Sequence, residues 1–134
     1  MPMDPFIGEI VCVPFDWAPQ GWALCHGQVL PIRDYQALFS LIGTRYGGDG
    51  VNTFALPDLR GRVIVGAGPG PNQRARQLGQ KGGTESGAMP MPAAPATPQS
   101  ARLMTVPATD DGNMPPFTVL NFMIAVYGTY PARP

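Results

Sequence analysis

Apolar residues recur along this chain in short runs broken by glycine and proline, and the spacing of the runs changes from one region to the next. Residues 8–15 read Gly-Glu-Ile-Val-Cys-Val-Pro-Phe, a β-branched run that predicts a strand, with Pro14 suited to an edge or a strand end. Trp17-Ala18-Pro19-Gln20-Gly21 predicts a turn, and residues 22–25 return as a second strand. His26-Gly27 predicts another tight turn, followed by a short extended piece at 28–32. The period then changes. Tyr35, Leu38, Phe39 and Ile42 fall at i, i+3, i+4 and i+7, one apolar stripe on a helix over about 35–42, with Asp34 as its cap and Gly43 as its stop.

The next stretch, residues 46–62, is rich in glycine yet carries Phe54, Leu56 and Leu59 as anchors. A flexible linker has no use for buriable aromatic and aliphatic groups, so an ordered, shaped loop is expected. It offers backbone shape rather than a reactive group, which points towards assembly and contact. Residues 62–65 read as a further short strand. From 66 to 116 the chain is mostly loop, with a Pro/Ala-rich stretch at 89–98. Residues 117–127 give the strongest strand signal. Phe117, Val119, Met123 and Ala125 lie on one face, and Leu120, Phe122, Ile124 and Val126 on the other. A strand apolar on both sides predicts cover on both sides, and in so small a domain the second cover is expected from a partner subunit.

Composition sharpens this picture. At 134 residues the chain has the length of one domain. Charged residues are 13% and the formal net charge is zero, so electrostatic binding to nucleic acid or anionic lipid is not expected. All the basic residues but Lys81 are arginines, the type better suited to interfaces. Seventeen glycines and seventeen prolines imply much loop, while 44% hydrophobic residues argue against disorder of the whole chain. No secretory signal is expected from the first residues, and the apolar run at 117–126 is too short to span a bilayer as a helix.

Several segments together support a family resemblance: Phe6-Ile7-Gly8-Glu9-Ile10, Pro19-Gln20-Gly21-Trp22-Ala23-Leu24-Cys25-His26-Gly27-Gln28, Tyr46-Gly47-Gly48-Asp49-Gly50 and Phe54-Ala55-Leu56-Pro57-Asp58-Leu59-Arg60-Gly61-Arg62. Leu30-Pro31-Ile32, residues 37–44, Gly79-Gln80-Lys81-Gly82-Gly83-Thr84-Glu85 and residues 114–122 continue the pattern in order. The chain resembles the phage tail collar domain family, including its bacterial microcystin-dependent-protein-like members. The resemblance implies a structural protein, related to phage short tail fibres that are intertwined trimers in contact with the host surface. One departure matters. Many relatives carry a His-x-His pair that holds a metal on the trimer axis. This chain has Met91-Pro92-Ala93-Ala94-Pro95-Ala96 there, and a methyl group is no ligand, so no metal is expected.

The remaining candidates divide between bland and functional readings. His26 is expected as a turn residue, at a place where relatives often carry asparagine. Cys12 and Cys25 are either two thiols or a disulfide; a hairpin centred between Ala18 and Pro19 sets them opposite each other, within bridging range, although direct opposition strains the bond. Gly66-Ala67-Gly68-Pro69-Gly70-Pro71 superficially matches a dinucleotide loop but has proline at the third glycine position and no following helix, so no cofactor is expected. Asp49, Asn52 and Asp58 carry oxygen ligands but lack calcium-loop spacing, and Asp58 with Arg60 is expected to fix the loop. Trp17, Trp22 and Tyr130 are candidate glycan contacts, with the alternative of core or interface anchors. Asn121 is expected to satisfy backbone groups inside an apolar strand.

The expected fold is therefore α+β and β-rich, a small tail-collar-like domain with one short helix and long Gly/Pro-rich loops, forming an intertwined trimer. Residues 7–62 are the collar domain and 63–134 a C-terminal extension with a Pro-rich loop and a buried final strand. Phe117, Val119, Asn121, Met123 and Tyr127 are the expected oligomer interface. The function expected is a non-enzymatic subunit of a phage tail fibre or phage-derived bacterial surface fibre, able to form filaments. The alternative is a receptor- or glycan-binding adhesin. Partners are other copies, paralogous collar proteins or a host-surface receptor, without nucleic acid or membrane insertion, in a virion tail or at a cell surface.

Overall fold

The computed structural model describes residues 4–72, 74–83 and 115–134. The chain divides into two compact units, Met1–Gln80 with Leu120–Pro134, and Lys81–Val119. All the named strands and the helix belong to the first.

In order, the elements are β1 (Ile10–Val13), β2 (Trp22–Leu24), β3 (Val29–Pro31), a 3-10 turn (Ile32–Asp34), α1 (Gln36–Ile42), β4 (Thr53–Ala55) and β5 (Asn121–Ala125). The β-rich α+β class with one short helix is what these elements make. β1, β5 and β2 form one sheet in that spatial order, and β3 pairs with β4 in a second.

The expected β1–β2 hairpin does not form, because β5 lies between the two strands and pairs antiparallel with both. β1 and β2 therefore run parallel to each other, and the Trp17–Gly21 turn joins strands that are not neighbours. Cys12 faces Phe122 across one side of β5, while the Cys25 N–H donates to the Phe122 carbonyl on the other side, 2.9 Å. Two strand spacings of about 4.8 Å each put the cysteines beyond the ~7 Å limit for a bridge. Both are free thiols.

The core is built on one face of this sheet. Ile124 and Val126 of the β5 region pack with Ile7, Cys25, Leu38, Phe54 and Leu56, and Tyr35 just before the helix, with Phe39 and Ile42 in it, presses against the cluster. The helical stripe read from spacing is thus the stripe that packs. Its cap differs from expectation: Asp34 ends the 3-10 turn, Tyr35 occupies the cap position, and no side chain bonds there. Gly43 does close the helix, at φ +56 with its N–H on the Phe39 carbonyl.

Two strand expectations shrink. Residues 62–65 form no ladder, and the residue 117–127 strand is regular only over Asn121–Ala125. The need for a partner to cover β5 also falls away. Met123 and Ala125 on one face and Ile124 on the other are fully buried within the single chain. Of the named interface residues, Met123 is therefore not open to a second copy, and the Asn121 amide is engaged internally, donating to the Phe15 carbonyl at 3.0 Å.

Candidate functional site

The loop between α1 and β4 and the segment after β4 concentrate the chain's specific geometry. Asp49 organises the first half. A single carboxylate oxygen, Oδ1, accepts the backbone N–H groups of Val51, Asn52 and Thr53, each at 2.9 Å. Three donors stabilise the charged form, so the carboxyl is held down at about 2. The Thr53 hydroxyl accepts the Asp49 N–H at 3.3 Å, and the Asn52 carbonyl accepts the Ile32 N–H at 2.9 Å, tying the loop to the 3-10 turn. Gly48 lets the loop lie directly on β4. It stands at φ +95, and a Cβ there would run into the Phe54 Cα and sit 2.8 Å from the Thr53 carbonyl oxygen.

The second half is stitched to the start of the chain. The Leu59 N–H donates to the Cys25 carbonyl at 3.0 Å, the Gly27 N–H to the Pro57 carbonyl at 3.2 Å, and His26 forms a single bridge with Asp58. Asp58 accepts two bonds from the Arg60 guanidinium, at 2.8 and 2.9 Å, and a third from the Arg60 N–H at 3.3 Å. Asp58 and Arg60 thus fix each other, and with them the loop, as expected. Phe54 and Leu56 are fully buried beneath this framework, and Leu59 is half-buried against it.

The polar groups of the loop are used to hold backbone. Oδ1 of Asp49 is turned onto peptide N–H groups, which competes with any cation. Among the described residues, no three metal-ligating side chains come together. The positions matching the family's His-x-His pair, Ala94 and Ala96, lie outside the described residues. His26 behaves as a backbone position in a turn whose left-handed residue is Gly27, φ +77. Burial pushes the Cys25 thiol up to about 12. Cys12 is exposed on β1.

This loop matches a known pattern. Residues 8–64 match the family profile of the phage tail collar domain. Residues 8–64 form a phage tail collar domain. Over 65 residues the chain is also 40% identical to the short tail fiber protein gp12 of Enterobacteria phage T4. That match takes in 48% of this chain and only 12% of the fibre protein's length. The collar domain contains β1 to β4 and α1, whereas β5, the central strand of its three-stranded sheet, comes from the chain's C-terminal region.

Apolar side chains lie open in both units. Val63, Ile64 and Val65 are 73, 56 and 66% exposed, and Phe117, Val119 and Leu120 are also exposed. Tyr127 is exposed and stacks on Tyr35 with ring centroids 5.5 Å apart, a pair the spacing did not reveal. Trp17 is exposed and stacks on Phe15 at 4.6 Å, and the Tyr130 hydroxyl shares a 2.9 Å hydrogen bond with Ser40. Trp22 is half-buried in β2. Among the described residues, no ring contact joins Trp17, Trp22 and Tyr130 to one another. No helix among them is long and apolar enough to cross a membrane.

Proposed function

We propose that this chain is a structural subunit of a fibre, either a phage tail fibre or a phage-derived bacterial surface fibre. It acts by self-association and carries no catalytic chemistry. The observation that carries the reading is the 40% identity to a short tail fiber protein across the collar region. The geometry supports it, because among the described residues the most elaborate polar network, around Asp49 and Asp58, serves to shape a loop.

The assembly is a homotrimer, the state that the resemblance to short tail fibres implies, and trimers stack into filaments. Phe117, Val119 and Tyr127 are the interface residues from the C-terminal region that remain open to other copies. The fibre belongs to a virion tail or the outside of a cell, where paralogous collar proteins can join it. Light scattering on purified protein should give a mass near three times 14.3 kDa, or larger species in multiples of that trimer. A mass of one chain at every concentration rejects the proposal. Negative-stain imaging separates discrete trimers from filaments.

A second reading, an adhesin that binds a host receptor or glycan, is favoured by the exposed rings of Trp17 and Tyr130. It predicts signal on a glycan array that Trp17→Ala removes without changing the oligomer mass. A blank array removes its main support.

A further inference from the structure

We propose that residues 62–65 of one copy add as a strand to the open edge of β1 in a second copy, antiparallel, with Ile64 opposite Cys12. The inference rests on the self-association reading above and names the contact through which it occurs.

The donor segment is a strand without a sheet. Arg-Val-Ile-Val carries three consecutive β-branched residues, the composition of a half-buried pleated surface. Here all three side chains are exposed, and the backbone of Val63, Ile64 and Val65 makes no hydrogen bond among the described residues. Among the described residues the segment makes one bond, the Arg62 N–H to the Leu59 carbonyl at 3.2 Å, which closes the preceding turn. Three aliphatic side chains in water beside unpaired peptide groups fit a ladder supplied from outside.

The acceptor is an unguarded edge. β1 pairs with β5 on one side and with nothing among the described residues on the other. Edge strands are commonly protected by a charge or a proline inside the strand. β1, Ile-Val-Cys-Val, contains neither, and Pro14 follows only after it ends. Glu9 is bonded to Ala125 of the β5 side, so antiparallel alternation turns the peptide groups of Ile10 and Cys12 outward. Ile10 and Cys12 are both exposed at that edge.

In this register Val65, Ile64 and Val63 face Val11, Cys12 and Val13, all apolar, and Arg62 falls opposite Pro14 just past the strand. Charge sets the direction. Arg62 has no ion-pair partner among the described residues, and Asp16, exposed just past the end of β1, has none either. With Ile64 facing Cys12, the antiparallel register carries Arg62 towards Asp16, whereas a register reversed end for end carries it away. The contact is head to tail: each copy gives a strand at one place and receives one at another. It closes into a ring if the rotation permits and continues as a fibre if it does not.

The native Cys12 supplies the test. Opposed residues of a hydrogen-bonded pair lie about 5.5 Å apart at Cα, within disulfide range. An Ile64→Cys variant, mildly oxidised, should give covalent multimers on a non-reducing gel. The same change in a Cys12→Ala background should not, and neither should Val51→Cys, a still more open site elsewhere. Separately, Ile64→Pro removes the N–H needed for the ladder at a position that makes no internal bond. It should lower the light-scattering mass to one chain, while Ile64→Thr, which keeps the N–H and β-branching, should retain the assembly. A wild-type protein that is monomeric overturns both this contact and the self-association reading. A wild-type oligomer whose mass survives Ile64→Pro, or multimers that form as readily from Val51→Cys, overturns this contact alone.

Discussion

At the scale of single residues, two glycines and one carboxylate show how the loop is held. Gly43 and Gly48 both have positive φ, but their surroundings differ. Nothing lies within 4 Å of a Cβ built on Gly43, whereas one on Gly48 would strike the β4 backbone. Gly43 stands at φ +56, ψ −142, a region nearly restricted to glycine, so Gly43→Ala should cost about 1–3 kcal/mol from the backbone alone, while Gly48→Ala adds overpacking against a strand and should cost about 1–3 kcal/mol more. Denaturant midpoints at fixed protein concentration would show the order, and equal losses would mean that β4 yields easily. Asp49 makes a pH prediction. Its carboxyl sits at about 2 when folded, below its ordinary 3.8. A depressed carboxyl contributes stability that is complete above the unfolded value and lost as pH falls through the folded one. The acid limb of the stability curve between about pH 4 and pH 2 should therefore be shallower in Asp49→Asn than in the wild type. An unchanged slope would mean that the three N–H donors do not select the charged form.

At the scale of elements, what could be read in advance depended on whether local spacing or distant pairing decides the outcome. The Tyr35, Leu38, Phe39 and Ile42 stripe was legible because helical periodicity names its own buried face. Phe54 and Leu56 were legible as anchors because large apolar groups among glycines and prolines have little other use. The position of β5 was not legible. Alternation in residues 10–13 and 22–25 is the same whether those strands pair with each other or flank a third strand from about a hundred residues later. The same ambiguity made β5 look as though it needed a partner, when its own chain covers Met123 and Ile124. Residues 62–65 show the converse: strand propensity was present, but the single chain offers no ladder. Asp34 is a favourable capping residue, but it stands one position before the cap of a helix that begins through a 3-10 turn. That correction is testable. Asp34→Ala should change stability by no more than about 0.5 kcal/mol, the range of an ordinary surface substitution, whereas a true cap would cost about 1 kcal/mol. Leu38→Ala, from the fully buried position of the same helix, should cost about 2–5 kcal/mol in the same denaturation series.

At the scale of the whole molecule, the proposed assembly needs a force to draw copies together. The chain has zero formal net charge and only 13% charged residues, so neither long-range attraction nor repulsion between copies is large. What the described surface offers instead is aliphatic: Val51, Val63, Ile64, Val65 and Leu78 are all exposed, as are Phe117 and Val119 in the second unit. Burial of such groups is driven by water and weakens on cooling, while sulfate strengthens it. A rim pair such as Arg62 with Asp16 sets direction but contributes little that salt could screen. Assembly should therefore keep its mass between about 0.05 and 0.5 M sodium chloride, grow in sulfate, and loosen as the sample is cooled towards freezing. Light scattering across these conditions checks all three. Dissociation by sodium chloride, with no loss on cooling, would place the association on ion pairs, and the exposed valines and isoleucine would need another explanation.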